Sequence, residues 1–513
     1  MKSRKYSFLT AMTLFAVLAI PVQLAAQRHH HYKLIDLNTL GGPTSYFSNG
    51  SDGILNNQGT AVGWADTSTP DPFPAFCFNP DCFVSHAFQS RNGVRTDLGT
   101  LPGGVSSQAF WISANGLIAG NAQNGQIDPL IPGLPEVRAV LWQNGSITDL
   151  GTLDGGTESL AAVVNTRGQV VGFAGTNVPD PFGLAGIQFR AFLWQGGTMQ
   201  DLGTLGGNDA MALFINEAGQ VAGSSYTNTT PNPSTGFPTQ DPFFWEHGTM
   251  LDIGTLGGTV GFPQGFNNRG EVVGQSNLAG DLTFHPFLWT KTGGIRDLGT
   301  LGGSTGITNW INDAGDIAGK ADLPGPLPQN HDAVLWRHRA MIDLGALPGD
   351  SCSNAYFVNS PGQVVGTSES RDLCLIPTGE HAFLWENGGP MVDLNSLIPP
   401  GSSLQLTFAF AINGHGEIVG TGVPSGCTPE NIDFCGHAFV LIPCDENHPG
   451  VEGCDYSLVD EPAATTSVGS RPVAQNRATA NPGTTGAANP MMRSLGHRST
   501  PWHRNLGVQP SAE

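Results

Sequence analysis

A nine-residue phrase, Ile295-Arg296-Asp297-Leu298-Gly299-Thr300-Leu301-Gly302-Gly303, recurs in degenerate form along the chain, and no other feature restricts the fold as strongly. Its Asp-Leu core stands at Asp36, Asp97, Asp149, Asp201, Asp252 (as Asp-Ile), Asp297, Asp343 and Asp393, every 45–61 residues. Periods of this size belong to propellers and solenoids, whose units cannot bury an apolar face alone and make a core by stacking. The 513 residues therefore read as one large repetitive domain rather than three independent ones. With 12% charged residues and 70 glycines, the composition suits tight turns between strands and not amphipathic helices.

Each period contains four short runs rich in Val, Ile, Phe and Trp, bounded by Gly and Asn, which read as strands. The first and second are joined by the turns 56–59, 113–116, 165–168, 216–219, 267–270, 312–315, 359–362 and 413–416. Asn or Ser opens each turn and Gly closes it, as a type I turn with a bulge requires. The third and fourth runs are also tightly joined, whereas the second and third are separated by long, unequal inserts. Four antiparallel strands with this pattern of connections make a propeller blade. The expected fold is all-β, an eight-bladed β-propeller over residues 32–443. Its last blade is closed by the N-terminal strand at residues 32–37, laid beside residues 436–442. The tryptophans at 142, 194, 245, 289, 336 and 385 fall at one place in the third strand and are expected to pack between blades.

Residues 1–26 read as a signal peptide, with Lys2, Arg4 and Lys5 before an apolar run too short to span a bilayer comfortably. Residues 27–31 form a short lead whose His29, His30 and His31 are expected to be solvated. Residues 444–454 form a disulfide-closed loop, and residues 455–513, rich in Ala, Thr, Pro and Ser, read as a disordered tail. Export favours disulfides. Proximity in sequence pairs Cys77 with Cys82, Cys352 with Cys374, Cys427 with Cys435 and Cys444 with Cys454. A formal charge of −20 argues against nucleic acid as a partner.

The triplets His86-Ala87-Phe88, His381-Ala382-Phe383 and His437-Ala438-Phe439, together with the Asp-Leu-Gly-Thr-Leu-Gly-Gly phrases, resemble the bacterial extracellular HAF-repeat family over roughly residues 32–443. The resemblance implies an exported repeat protein and carries no established catalytic residues. Other units hold Arg138-Ala139-Val140, Arg190-Ala191-Phe192, Asp241-Pro242-Phe243, His285-Pro286-Phe287 and Asp332-Ala333-Val334 at the same place.

The inserts are expected to crowd one rim, where loops on a rigid scaffold commonly bind ligands. Candidate rim residues are Asp71, Phe73, Asp128, Asp180, Phe182, Asp241, Asp322 and Asp433. The expected function is a secreted or periplasmic, monomeric, non-catalytic binding or scaffold protein that meets a glycan, peptide or protein partner. The alternative is a propeller glycoside hydrolase or lyase with acidic residues at the central channel; the sequence shows no carboxylate pair at glycosidase separation. No cofactor and no metal are expected, apart from a structural calcium ion in acidic inserts such as 66–81 or 313–322. Neither insert has the regular acidic ladder of a calcium loop.

Overall fold

The computed structural model describes residues 28–460 except 49–51, 130–132, 154, 184–185, 326–329, 371–379 and 387, together with 472–473. The signal segment, Cys374 and nearly all of the expected disordered tail lie outside the described residues. Among the described residues, no helix is long and apolar enough to cross a membrane.

The chain is all-β, a succession of four-stranded antiparallel sheets. In one of them Ser159–Val164, Val170–Pro179, Ile187–Gln195 and Thr198–Asp201 lie side by side in chain order. The turn between its first two strands forms as the sequence implies. Asn165 Oδ1 accepts from the Arg167 and Gln169 amides, both at 3.1 Å, and Gly168 takes φ +74°. Two successive sheets are bridged by a single parallel pair, Gln240 with Val260.

Register explains the His-Ala-Phe triplet. Its Phe is fully buried at Phe88, Phe192, Phe243, Phe287, Phe383 and Phe439, and faces a glycine on the second strand, as in Gly274 opposite Phe287. A Cβ at Gly274 would lie 1.9 Å from the Phe262 carbonyl oxygen and 2.8 Å from the Phe287 ring. The second strand can therefore carry only glycine there, because a bulged first-strand carbonyl and the ring occupy the space.

The two ends of the described chain meet. Tyr32–Asp36 pairs antiparallel with His437–Pro443, with Leu34 opposite Leu441 and Asp36 opposite Phe439, and completes a four-stranded sheet with Ile418–Pro424 and Leu404–Ile412. Beyond this seam Arg28–His30 pairs with Leu458–Asp460, so the lead and the first residues of the expected tail form a strand pair instead of loose chain. His29 is buried with Nδ1 3.1 Å from Glu386 Oε1, so this member of the histidine run is not solvated, whereas His30 is exposed.

The turn asparagines do more than close hairpins. Their side-chain amides donate to the carbonyl of the next turn, from Asn56 to Ser113, Asn165 to Asn216, Asn216 to Asn267, Asn267 to Asn312, Asn312 to Asn359 and Asn359 to Asn413, at 2.9–3.3 Å. Asn115 makes the equivalent step to Thr166 at 2.9 Å, and Asn413 donates to the Asn56 carbonyl at 3.1 Å. The series thus returns to its first member.

The tryptophans join neighbouring sheets. Trp336 is buried and its Nε1 donates to the Leu298 carbonyl of the preceding sheet at 3.2 Å; Trp142 does the same to Leu98 at 3.1 Å. Trp336→Ala is expected to cost about 3–5 kcal/mol, since it leaves a large cavity and an unpaired carbonyl. Denaturant unfolding of the variant measures this.

Candidate active site

The most concentrated chemistry lies at the ends of two strands of the first sheet. Thr44 and Tyr46 stand on Gly41–Tyr46, and Trp64 and Asp66 on the neighbouring Thr60–Pro70. The insert that follows brings Asn79 and Asp81 back over Asp66, held by the Cys77–Cys82 disulfide. Asp66 is fully buried, whereas Asp81 is partly open to solvent.

The Asp66 carboxyl is bound on both oxygens. Its Oδ1 accepts from Asn79 Nδ2 at 2.9 Å, and its Oδ2 from the Thr44 amide at 3.2 Å and from the Thr44 hydroxyl. That hydroxyl is also 3.1 Å from Asp81 Oδ2, so one oxygen touches both carboxyl groups. Gln108 Nε2 fixes Asn79 from the next sheet at 2.9 Å. Burial first, then the hydrogen bond with Asp81 and its negative charge, push the Asp66 carboxyl up to about 9 against the pull of Thr44 and Asn79. Burial and the neighbouring Asp81 thus favour the protonated form of Asp66.

Aromatic side chains wall this pair. Tyr46 stacks on Trp64 with ring centroids 5.6 Å apart, and Phe110 meets Trp64 edge-on at 5.6 Å. The Tyr46 hydroxyl donates to the Asp433 carbonyl at 2.7 Å, which ties in the loop closed by Cys427–Cys435. Burial, followed by the charges of Asp81 and Asp66, holds the Tyr46 phenol well above its usual range.

A second recurring arrangement lies between third and fourth strands. The triplet histidine meets the Asp of the Asp-Leu phrase: His86 Nδ1 with Asp97 at 2.9 Å, His285 with Asp297 at 2.9 Å, His437 with Asp36 at 3.1 Å. Arg190 replaces the imidazole against Asp201 at 3.1 Å. In two sheets the replacement is acidic, and Asp241 faces Asp252 while Asp332 faces Asp343. Burial and then the facing carboxylate push Asp241 and Asp332 each up to about 7. Between about pH 4 and 7 the unfolded chain loses this proton while the folded chain keeps it, so stability falls as pH rises through that window. Asp241→Asn removes the second carboxylate and is expected to stabilise the protein by about 1–2 kcal/mol at pH 7.5, with no gain at pH 4. Thermal unfolding at the two pH values reads the difference.

Of the expected rim residues, Phe73, Phe182, Asp241 and Asp322 are partly exposed and Asp433 is exposed. Asp71, Asp128 and Asp180 are buried. Asp71 accepts from the Phe73 and Phe78 amides at 2.8 and 3.1 Å, and Asp180 from the Phe182 amide at 2.7 Å, so both carboxylates shape their own loops. Phe182 packs edge-on against Phe237, Asp241 faces Asp252, and Asp322 accepts from the Thr305 hydroxyl at 2.6 Å. Asp433 is exposed and borders the Asp66 site. At Asp71 and Asp180 the lone pairs bound to loop amides are not available to a ligand. Cys444 and Cys454 are joined, and Cys352 is oxidised.

No known family profile and no curated protein matches the chain. Among solved structures it is similar to the Pyrococcus horikoshii acylaminoacyl peptidase, at 10% identity and a TM-score of 0.39, over 74% of this chain and 58% of that one. It thus spans less than two thirds of that peptidase. It is also similar to the β-propeller domain of the Trilobed protease from Pyrococcus furiosus, at 8% identity and a TM-score of 0.39, over 71% of this chain and 98% of that one. A Trypanosoma rangeli sialidase follows at 12% identity and a TM-score of 0.30, over 61% of this chain and 58% of that one. The fold joins a carboxyl pair that is inconspicuous in the sequence. The expectation of a non-catalytic binding or scaffold protein is corrected on that ground.

Proposed function

We propose that the chain is a hydrolase of acyl bonds, an ester or amide, and that Asp66 and Asp81 are its acid and base. The observation that carries the reading is the Thr44 hydroxyl reached by two carboxyls, one of them fully buried and favoured in its protonated form. Two carboxyls this close cannot both ionise, and such a pair divides acid and base roles between its members. In the reaction, Asp81 takes a proton from water as the water oxygen bonds to the acyl carbon, and Asp66 gives its proton to the carbonyl oxygen. Collapse of the adduct returns a hydroxyl proton to Asp66, and Asp81 passes its proton to the leaving nitrogen or oxygen. The pair is thereby restored. The two-carboxylate glycosidase alternative needs groups about 5–9.5 Å apart, with room for the sugar between them. Here a single hydroxyl spans the gap, and the innermost strands, such as Ser159–Val164 and Ala210–Ile215, carry no acidic residue.

The scaffold we propose for this chemistry is an eight-bladed propeller of the HAF-repeat type, exported by the apolar leader. The turn-to-turn hydrogen bonds that lead back from Asn413 to Asn56 support a closed ring, as does the pairing of Tyr32–Asp36 with His437–Pro443. Closure removes sheet edges that would otherwise recruit other chains, which fits a monomer. The test is a panel of nitrophenyl esters and peptide anilides incubated with the full chain, with released reducing sugar followed in parallel. Turnover of an ester or anilide that disappears in Asp81→Asn supports the reading. Sugar release alone, or turnover unchanged in the variant, overturns it.

A further inference from the structure

The sheet built from Cys352–Val358, Val364–Glu369, His381–Trp385 and Val392–Asp393 breaks the histidine pattern in one place. Its backbone register is the usual one: Phe383 stands opposite Asp393, as Phe88 does opposite Asp97 and Phe287 opposite Asp297. In the sheets that hold His86 and His285 that register joins the histidine to the aspartate. Here Asp393 Oδ1 accepts from the Asn395 amide at 2.8 Å and from Asn395 Nδ2 at 2.9 Å. His381 Nδ1 turns instead to Asp350 Oδ2, at 3.1 Å, on the loop that leads into the first strand. Glu380, beside it, brings a second carboxylate.

We propose that Asp350, Glu380 and His381 form a binding site for a divalent first-row transition-metal ion, distinct from the Asp66–Asp81 pair. One ligand atom from each of the three lies within 4.8 Å of the other two. Around a tetrahedral zinc ion with bonds of about 2.0–2.2 Å, ligand atoms stand about 3.3 Å apart, so small side-chain rotations close the set. The donor set selects the metal class. One imidazole nitrogen with two carboxylate oxygens suits zinc, manganese or cobalt better than calcium or magnesium, which favour oxygen alone.

The supports are also in place. The Asp350 side chain is 4% exposed and walls the site from inside, while His381 at 34% leaves it open to entry. The Ser370 amide at 3.0 Å and the Ser370 hydroxyl hold Glu380 Oε2, the kind of outer contact that orients a metal-bound carboxylate. The Asp241–Asp252 and Asp332–Asp343 pairs offer carboxylates without an imidazole, and carry no such proposal.

The experiment is calorimetric titration of the full, chelator-stripped chain with Zn²⁺, repeated with Co²⁺ while the visible spectrum is recorded. The result expected is one equivalent bound, a Co²⁺ absorption band from the imidazole-ligated ion, and affinity lowered more than about tenfold by His381→Ala and by Asp350→Asn. His31→Ala, near the N-terminal strand, should leave the affinity unchanged. Glu380→Gln, on the open side of the site, gives the same reading if either of the first two variants fails to fold. Absence of stoichiometric binding, or binding equal in the wild-type chain and the three site variants, overturns the proposal.

Discussion

Asp81→Asn is expected to slow hydrolysis about 10²–10⁴-fold, the usual contribution of a positioned general base. The amide keeps the size of the carboxylate but cannot take a proton from water. Asp66→Asn should fall by a similar factor, for the opposite reason: the acid that protonates the carbonyl oxygen is gone. The two variants differ in stability. The Asp66 carboxyl is pushed up to about 9 by burial and Asp81, whereas in the unfolded chain it ionises near pH 4. Over pH 4–9 the unfolded state therefore binds fewer protons than the folded state, and this group lowers stability progressively as pH rises. Asparagine at position 66 removes that penalty. Asp66→Asn should melt higher than the wild-type protein at pH 8, and the gain should vanish at pH 4. An inactive but stabilised variant separates loss of chemistry from loss of fold; an inactive and strongly destabilised one would assign Asp66 a structural role only.

Deleting residues 28–36 is the second change with a large expected effect. It removes the strand Tyr32–Asp36 from the edge of His437–Pro443 and uncovers Phe439 and Leu441, both fully buried in the intact protein. Side chains of this size cost about 2–5 kcal/mol each when their packing is lost, and the bared strand edge is a template for association. Amide hydrogen exchange at residues 437–443 should accelerate by more than about 10³-fold, while exchange at Val170–Pro179, in a distant sheet, stays protected. Concentration-dependent association should accompany it. Unchanged protection at 437–443 would show that the seam contributes nothing to closure.

The strands, turns and terminal seam were legible because each depends on local patterns that recur. Asn165, Gly168 and their counterparts specify a turn wherever they fall, and the unmatched runs at residues 32–37 and 436–442 can satisfy their backbone groups only on each other. The pairing of triplet histidine with phrase aspartate was present as a separation of 11 or 12 residues, at His86 with Asp97 and His285 with Asp297, but its meaning needs the third and fourth strands in register. Asp66 and Asp81 were illegible as a pair. They sit at the two ends of an insert that resembles no other, and what joins them is a Thr on a neighbouring strand and an Asn steered by Gln108 of another sheet. The Thr–Asp contact recurs as Thr305 with Asp322, whereas the second carboxylate, Asp81, comes from one insert and leaves no period to read. Composition likewise does not reveal that loop carboxylates such as Asp71 and Asp180 turn inward onto amides of their own loops.

The protonated form of Asp66 is most directly tested by following the carboxyl carbon of ¹³C-labelled Asp66 by NMR through a pH titration, with Asp66→Asn used to assign its signal. A carboxyl that stays protonated through neutrality and ionises near pH 9 is the result this account predicts. Ionisation near pH 4, independent of Asp81→Asn, would contradict it.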